Sequence, residues 1–218
     1  MSKVPVNAPS NCPGTNSTKA GKTDMCKSCP NQSTCALGAM SDSKQDIEDI
    51  SKALKGVKNV CIILSGKGGV GKSSITSNLA FELSQDKNLD IGVLDLDICG
   101  SSLPRYMGVQ NCEVRRTVEG WTPVCVSDNI SLMSVGFLLS SPDQALIWNG
   151  NRKNGMILSF LKQVQWGSLD YLLIDTPPGT SDEHLSITNY LSKININFGA
   201  IVVTTPQVLE EPILLQPV

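Results

Sequence analysis

Short apolar runs recur along the chain, separated by polar turns and by stretches with helical periodicity. The clearest runs lie at residues 60–64, 91–96, 171–174 and 199–203. Runs of this length that are bounded by turn residues predict buried strands of a parallel sheet. After the first run, Ile75, Leu79 and Leu83 share one face of a predicted helix. The pattern therefore predicts an α/β fold with a mainly parallel sheet.

The same periodicity and the turn residues predict further elements. Helices are expected over 41–57, 156–165 and 181–191, and short strands over 122–126 and 130–135. Val57 closes the apolar stripe of the first of these helices. The polar stretch 149–155 predicts a loop before the second helix.

The first apolar run leads directly into a glycine-rich loop of the form G-x-x-x-x-G-K-[ST]. Its glycines allow a tight turn whose N–H groups point at phosphate oxygens, and the positive end of the following helix adds to this field. Lys72 is expected to reach the β- and γ-phosphates, and Ser73 to bind Mg²⁺. We therefore predict a site for the phosphates of ATP formed by Gly66, Lys67, Gly68, Gly69, Val70, Gly71, Lys72 and Ser73. The alternative is a glycine-rich turn without a ligand.

Two later strands each end in carboxylates. The run at 91–96 contains Asp95 and leads to Asp97, and the run at 171–174 is followed by Asp175. Sites in parallel sheets lie at the carboxyl ends of strands. Asp175 is expected to hold Mg²⁺ through water, as the aspartate of a Walker B strand does, and Asp95 to support the loop or the metal. The turn at 177–179 would then act as a switch beside the γ-phosphate.

Residues 1–40 are rich in small and polar residues and cannot build a packed core. They nevertheless hold four of the eight cysteines, with the spacing C-x13-C-x2-C-x5-C. Four thiolates suit either tetrahedral zinc or an iron–sulfur cluster, and the spacing leaves both open, with no metal as a third alternative. The four candidate ligands are Cys12, Cys26, Cys29 and Cys35. The remaining cysteines, Cys61, Cys99, Cys112 and Cys125, are predicted to be structural or incidental.

The net charge bears on which partners the protein binds, and the hydropathy bears on its cellular compartment. The formal net charge is −2, which favours neither nucleic acid nor an anionic membrane as a partner. No apolar run approaches the roughly 20 residues of a spanning helix, and the first residues lack the apolar stretch of a signal peptide. We therefore expect a cytosolic protein whose thiols stay reduced. The single histidine, His184, is expected to be a surface or packing residue.

The loop carries a second lysine, Lys67, directly after its first glycine. The sequence G-K-G-G-V-G-K-S resembles the deviant Walker A loop of the MinD/Mrp/nitrogenase-iron-protein class. In that class the extra lysine reaches the nucleotide site of the partner subunit, so the resemblance implies a dimer. Asp97 matches the switch aspartate that orients the attacking water in this class. The alternatives are a solvated Lys67 and an Asp97 that only caps the next turn.

Taken together, the motifs resemble the cytosolic iron–sulfur cluster assembly factors of the Mrp/nucleotide-binding-protein family. The resemblance extends over residues 12–207 and rests on the cysteine spacing and on segments 66–73, 95–100, 133–137 and 175–184. It implies that the four N-terminal cysteines hold a [4Fe–4S] cluster. It also implies an ATP-dependent scaffold that forms a homodimer and a hetero-complex with a shorter paralogous ATPase of the family, and that passes clusters to apo iron–sulfur proteins.

The C-terminal sequence departs from the family pattern. The family's second cluster site is a C-x-x-C pair that bridges two subunits, and no such pair follows Gln207. Pro212 would interrupt the helix expected there. We therefore expect a truncated or alternative form, divided into a cysteine-rich extension (1–40), a linker helix (41–58), an incomplete ATPase domain (59–207) and a divergent tail (208–218).

The same sequence allows three alternative functions. A zinc-stabilised P-loop NTPase would use the cysteines without cluster chemistry. A MinD/ParA-type positioning ATPase predicts a basic DNA-binding face or a membrane-seeking amphipathic tail, and neither pattern is evident in the sequence. An inactive truncated isoform would still bind its partner or a cluster.

Overall fold

The computed structural model describes residues 8–9, 12, 21–30, 32, 44–97, 100–118, 120–138, 150–179 and 182–206. The chain divides into two compact units, residues 1–48 and 49–218. The predicted tail at 208–218, and with it Pro212, lies outside the described residues. Among the described residues, none of the helices combines the length and the apolar character needed to cross a membrane.

The described part of the first unit contains one short 3-10 turn, Asp24–Cys26. Helix α1 (Lys44–Ala53) crosses the division between the units. The second unit follows, with a 3-10 turn at Val135–Leu138 after its sixth strand. Its elements are β1 (Val57–Leu64), α2 (Lys72–Leu83), β2 (Ile91–Asp95), α3 (Leu103–Tyr106), β3 (Arg115–Arg116), β4 (Trp121–Thr122), β5 (Val124–Ser127), β6 (Ile130–Ser134), α4 (Gly150–Gln163), β7 (Leu169–Asp175), α5 (Asp182–Lys193) and β8 (Asn197–Val202).

Six strands form one sheet in the order β5-β6-β2-β7-β1-β8. Every pairing in it is parallel except that of β5 with β6, and β3 pairs with β4 in a separate antiparallel ribbon. The prediction of an α/β fold with a mainly parallel sheet is confirmed. The non-sequential strand order requires crossover connections, and the helices that supply them cover the faces of the sheet.

Alternate residues of the central strands supply the two hydrophobic cores, because successive side chains of a strand point to opposite faces. Leu172 and Ile174 of β7 belong to the core that includes Phe160 of α4. Leu173, between them, belongs to the core that includes Ala80 of α2. Both cores therefore hold β7 in place from opposite sides, and its C-terminal residue, Asp175, is fully buried.

The register of the sheet aligns the ends of its three central strands. Asp175 is paired with Ile63 of β1 on one side and with Asp95 of β2 on the other. The glycine-rich loop leaves β1 two residues after Ile63. Strand pairing therefore brings the loop, Asp95 and Asp175 to one edge of the sheet.

Two boundary predictions were wrong. Val57 begins β1, paired with Leu169, and does not close the stripe of α1, because parallel pairing competes successfully with helix propagation there. Residues 150–155 of the predicted loop are helical, since α4 begins at Gly150, and Asn149 lies outside the described residues. Helical hydrogen bonding can begin before the first apolar residue of the stripe, here Met156. On α2, Leu79 and Leu83 of the predicted apolar face pack against a core, but Ile75 is 41% exposed.

Candidate phosphate site and cysteine turn

The loop between β1 and α2 has the geometry of a phosphate cradle. Gly69 and Gly71 have φ values of 79° and 92°, in the left-handed region that favours glycine. A Cβ atom at either position would meet nothing within 4 Å, so backbone conformation, and not space, requires glycine there. The loop borders an open cleft of about 200 Å³. The residues that line it are Ser65, Lys67, Gly68, Gly69, Gly71, Lys72, Ser73, Ser74, Asp97, Gly100, Ser102, Tyr106 and Pro178.

Asp175 collects three side-chain donors from α2. Lys72 Nζ donates to Asp175 Oδ1 at 2.7 Å, and Ser73 Oγ donates to Oδ2 at 2.6 Å. Thr76 Oγ1 lies 3.0 Å from Oδ1. Because Lys72 and Thr76 are four residues apart, they share one face of the helix. Both residues are buried, so α2 buries polar side chains next to Asp175. Thr76 was missed in the sequence, and its four-residue spacing from Lys72 is the signal that could have found it.

Asp95 is the second buried carboxylate, and it is surrounded by donors. Its Oδ1 accepts the Asp97 N–H at 3.1 Å, and its Oδ2 accepts the Ser101 and Ser134 hydroxyls at 2.8 and 2.9 Å. Burial, together with the negative charge of nearby Asp175, raises the pKa of Asp95 to about 7. Ser101 and Ser134 were not singled out in the sequence. The β2–β6 pairing brings Ser134 to Asp95, and Ser101 reaches Asp95 from the segment that follows β2.

The two remaining candidates lie on the walls of the cleft. Asp97 is 9% exposed, and its Oδ1 accepts the Gly100 N–H at 3.2 Å. Lys67 is exposed at the cleft. The structure therefore brings Lys67, Lys72, Ser73 and Asp97 to one cleft with Asp175 directly behind it. The lysines of this set supply positive charge for phosphate oxygens. Its carboxylates and hydroxyl supply oxygen ligands for Mg²⁺.

The turn after Asp175 is tied to the start of the loop. Gly179 has a φ of 92°, and its N–H donates to Ser65 O at 2.8 Å. The Thr176 hydroxyl donates to Ile63 O at 2.8 Å. His184 of α5, expected to be a surface or packing residue, lies with Nε2 3.0 Å from Thr176 Oγ1. The turn that was predicted to act as a switch therefore contacts the loop through its backbone.

In the first unit, Cys26 and Cys29 share one tight turn. The Cys29 N–H donates to Cys26 O at 3.1 Å, so the C-x2-C spacing folds back on itself. Thr23 Oγ1 lies 3.0 Å from Cys26 Sγ, and this hydrogen bond lowers the pKa of the Cys26 thiol. A thiol with a lowered pKa favours the thiolate, which is the form that binds metals. The chemistry of this turn therefore fits a metal or cluster ligand.

The other cysteines differ in what can be said of them. Cys12 is half-buried, whereas Cys35 and Cys99 lie outside the described residues. Within the described ranges, no group of three or more His, Cys, Asp or Glu forms a metal site. Cys61 is half-buried in β1, and burial raises the pKa of its thiol. Cys112 and Cys125 are exposed.

Comparison with known proteins agrees with this geometry. Residues 56–212 match the model of a family described as NUBPL iron-transfer P-loop NTPase. A Caenorhabditis briggsae protein named cytosolic Fe-S cluster assembly factor NUBP1 homolog is 51% identical over 207 residues, which are 95% of this chain. The chain spans 66% of the length of that relative.

A solved structure provides a second comparison. It is the nucleotide-binding protein of Archaeoglobus fulgidus in complex with ADP, with cobalt detected in it. It is 38% identical and superposes with a TM-score of 0.64 over 77% of this chain and 63% of its own. Since the family model covers most of the chain, including the loop, Asp95, Asp97 and Asp175, the chain belongs to the NUBPL iron-transfer family of P-loop NTPases.

Proposed function

We propose that this chain is an ATP-dependent scaffold on which cytosolic [4Fe–4S] clusters are assembled and from which they pass to apo iron–sulfur proteins. The observation that carries the proposal is the Cys26–Cys29 turn, in which a hydrogen bond with Thr23 lowers the pKa of Cys26, in a chain that also holds a cleft lined by the glycine-rich loop. The name of the Caenorhabditis briggsae relative, which combines cytosolic location and cluster assembly, supports it.

Lys72 and Asp175 are proposed to exchange partners when ATP binds. A buried charge that loses its partner is costly, so Lys72 leaves Asp175 only when phosphate oxygens replace it. Ser73 and Asp175 would then hold Mg²⁺, Asp175 through water, and the ion would neutralise charge on the phosphates. The two buried charges, on Lys72 and Asp175, would each keep an oppositely charged neighbour throughout this exchange.

Asp97 and Lys67 are proposed to act on hydrolysis itself. Asp97 lies on the wall of the cleft, with its backbone N–H held by Asp95, and orients the attacking water. Lys67 is exposed at the same cleft and stabilises charge on the phosphate held by a partner subunit. This second role requires a homodimer or the hetero-complex with a shorter paralogous ATPase.

The cluster is the cargo of the proposed reaction. Cys12, Cys26, Cys29 and Cys35 are proposed to hold it in the extension 1–40, which precedes in sequence helix α1 (Lys44–Ala53) and the ATPase domain that begins with β1 at Val57. Metal binding in such a segment also supplies the folding free energy that its composition lacks. Neither nucleic acid nor a membrane is proposed as a partner.

The test is ATP-dependent cluster transfer. The full chain, loaded anaerobically with iron and sulfide, is mixed with an apo-protein whose enzymatic activity requires a [4Fe–4S] cluster, with and without Mg-ATP. We expect Mg-ATP to accelerate transfer from the wild type but not from Lys72→Met, with Lys87→Ala as the control on an exposed lysine. Equal transfer rates with and without Mg-ATP would refute the coupling of nucleotide to cargo.

A further inference from the structure

His184 lies at the end of a hydrogen-bonded chain that begins at the root of the glycine-rich loop. Ile63, two residues before Ser65, offers its carbonyl to the hydroxyl of Thr176 at 2.8 Å. Thr176 is fully buried and directly follows Asp175. Its Oγ1 is in turn 3.0 Å from His184 Nε2, in the first turns of α5. Three elements, β1, β7 and α5, therefore meet through one threonine hydroxyl.

The direction of each bond in this chain is set by the donors present. A carbonyl oxygen only accepts, so the single hydroxyl hydrogen of Thr176 is directed at Ile63 O. The Thr176 oxygen must then accept from His184, which places a hydrogen on Nε2 of the ring. The contact therefore depends on a donor at the Nε2 position, and a residue of similar length with no donor there would break it.

These hydrogen bonds lie next to the turn 177–179, which borders the cleft. Thr176 lies at the start of this turn, and Gly179 is held to Ser65 O at 2.8 Å. Pro178 lines the cleft, and its Cγ lies 3.9 Å from where a Cβ atom of Gly68 would be. The turn is thus held against the loop at Thr176 and at Gly179, and α5 is joined to it only eight residues after Thr176, at His184.

We propose that His184 is a positioning residue for the turn at 177–179, acting through Thr176. By holding Thr176 against Ile63, it keeps Gly179 and Pro178 at the side of the cleft where the terminal phosphate of ATP would lie. This inference rests on the proposed ATPase function. A residue that positions the turn affects the hydrolytic step, and it leaves the binding of ADP, which lacks the terminal phosphate, unchanged.

The test compares two substitutions of similar size in the full chain. His184→Gln retains a donor near Nε2, whereas His184→Met has none. We expect kcat for ATP to fall about 3- to 10-fold in His184→Met, the change that corresponds to one ordinary hydrogen bond, and to stay within about 2-fold in His184→Gln. The Kd for ADP is expected to be unchanged in both. Ser192→Ala, on the exposed side of the same helix, is the control.

A double-mutant cycle with Thr176→Val tests the route of the effect. If His184 acts through Thr176, the losses in kcat of His184→Met and Thr176→Val are not additive. Additive losses, or a His184→Met protein with the kcat of the wild type, would overturn the proposal. A lowered melting temperature with unchanged kcat would likewise assign His184 a purely structural role.

A second readout keeps this proposal separate from the ATPase proposal. If the wild type hydrolyses no ATP, the ATPase proposal fails before any variant is compared. Hydrogen exchange of the Gly179 amide in the protein without nucleotide then decides the role of His184. Faster exchange in His184→Met but not in His184→Gln supports it, and equal exchange in the two variants overturns it.

Discussion

The phosphate cleft and the cysteine turn obtain their geometry in different ways. In the cleft, Lys72 and Asp175 are 103 residues apart in sequence and are brought together by the register of a parallel sheet. In the cysteine turn, Thr23 and Cys26 are three residues apart, and the described contacts are local. The sheet therefore fixes the groups of the cleft, whereas the arrangement of the cysteines proposed as metal ligands would depend on what they bind.

From this difference we expect the two regions to respond differently to substitutions. A substitution of Lys72 or Asp175 should affect both chemistry and folding, because these two groups are buried and paired with each other. A substitution in the turn should affect metal chemistry and leave the ATPase domain folded, since each unit has its own contacts. The following four predictions test this comparison.

Lys72→Met is expected to have the largest effect. It removes the charge that binds phosphate, and ATP hydrolysis should fall about 10³-fold or more. It also leaves Asp175 buried without its cation, which should lower the free energy of unfolding by about 3–5 kcal/mol. Steady-state hydrolysis and urea denaturation measure the two effects. Anaerobic cluster loading should be unchanged, and its loss would contradict the independence of the two regions.

Asp95→Asn is expected to change how stability depends on pH. The pKa of Asp95 is raised to about 7 in the folded protein, so between pH 4 and pH 7 the folded state binds more protons than the unfolded state. The contribution of Asp95 to the free energy of unfolding is therefore fully present at low pH. It is lost as the pH rises, by up to about 1.4 kcal/mol for each pH unit. Asn should remove this slope in urea denaturation measured across the window. A wild type with no such slope to remove would argue against a raised pKa.

Thr76→Val is expected to have a smaller effect on the same site. It removes one donor to the buried Asp175 carboxylate while conserving side-chain volume, and should lower the free energy of unfolding by about 1.5–3 kcal/mol. Ser77→Ala is the matched control, because the Ser77 hydroxyl bonds only within the helix, to Ser74 O. Equal losses in the two variants would mean that the contact with Asp175 contributes nothing specific.

Thr23→Val is expected to have the smallest effect, and it tests the cysteine turn alone. Removing the Thr23 hydroxyl should raise the pKa of Cys26, so that alkylation of Cys26 by iodoacetamide near pH 7 slows about 2- to 5-fold. Mass spectrometry of the metal-free chain measures the rate. Ser28→Ala, an exposed neighbour in the same turn, should leave the rate unchanged. ATP hydrolysis should be the same in all three proteins.

Much of the cleft was predictable from sequence because its signals are local. The loop motif, the run that ends at Asp175 and the alternation of strands and helices are each contained in about a dozen residues. The fold prediction succeeded for the same reason. The C-x2-C spacing likewise predicted that Cys26 and Cys29 lie close together.

The partners of these residues could not be predicted in the same way. Ser134 and Thr176 are ordinary polar residues whose roles arise only when strand pairing brings them to Asp95 and Ile63. Ser101 is equally ordinary, and its role depends on how the segment after β2 folds back on Asp95. His184 was interpreted as a surface or packing residue because nothing near it in sequence indicates a contact. The start of β1 at Val57 was missed since a stripe of apolar residues does not show where helix gives way to strand.

The most direct test of the account is metal and sulfide analysis of the full chain after anaerobic loading. We predict about four iron and four sulfide per chain at the N-terminal cysteines, as a [4Fe–4S] cluster requires, and their loss in Cys26→Ser/Cys29→Ser. Cys112→Ser/Cys125→Ser, which alters two exposed cysteines elsewhere, should load like the wild type. Zinc without iron would favour a zinc-stabilised NTPase, and cysteines that take up no iron would contradict the scaffold function.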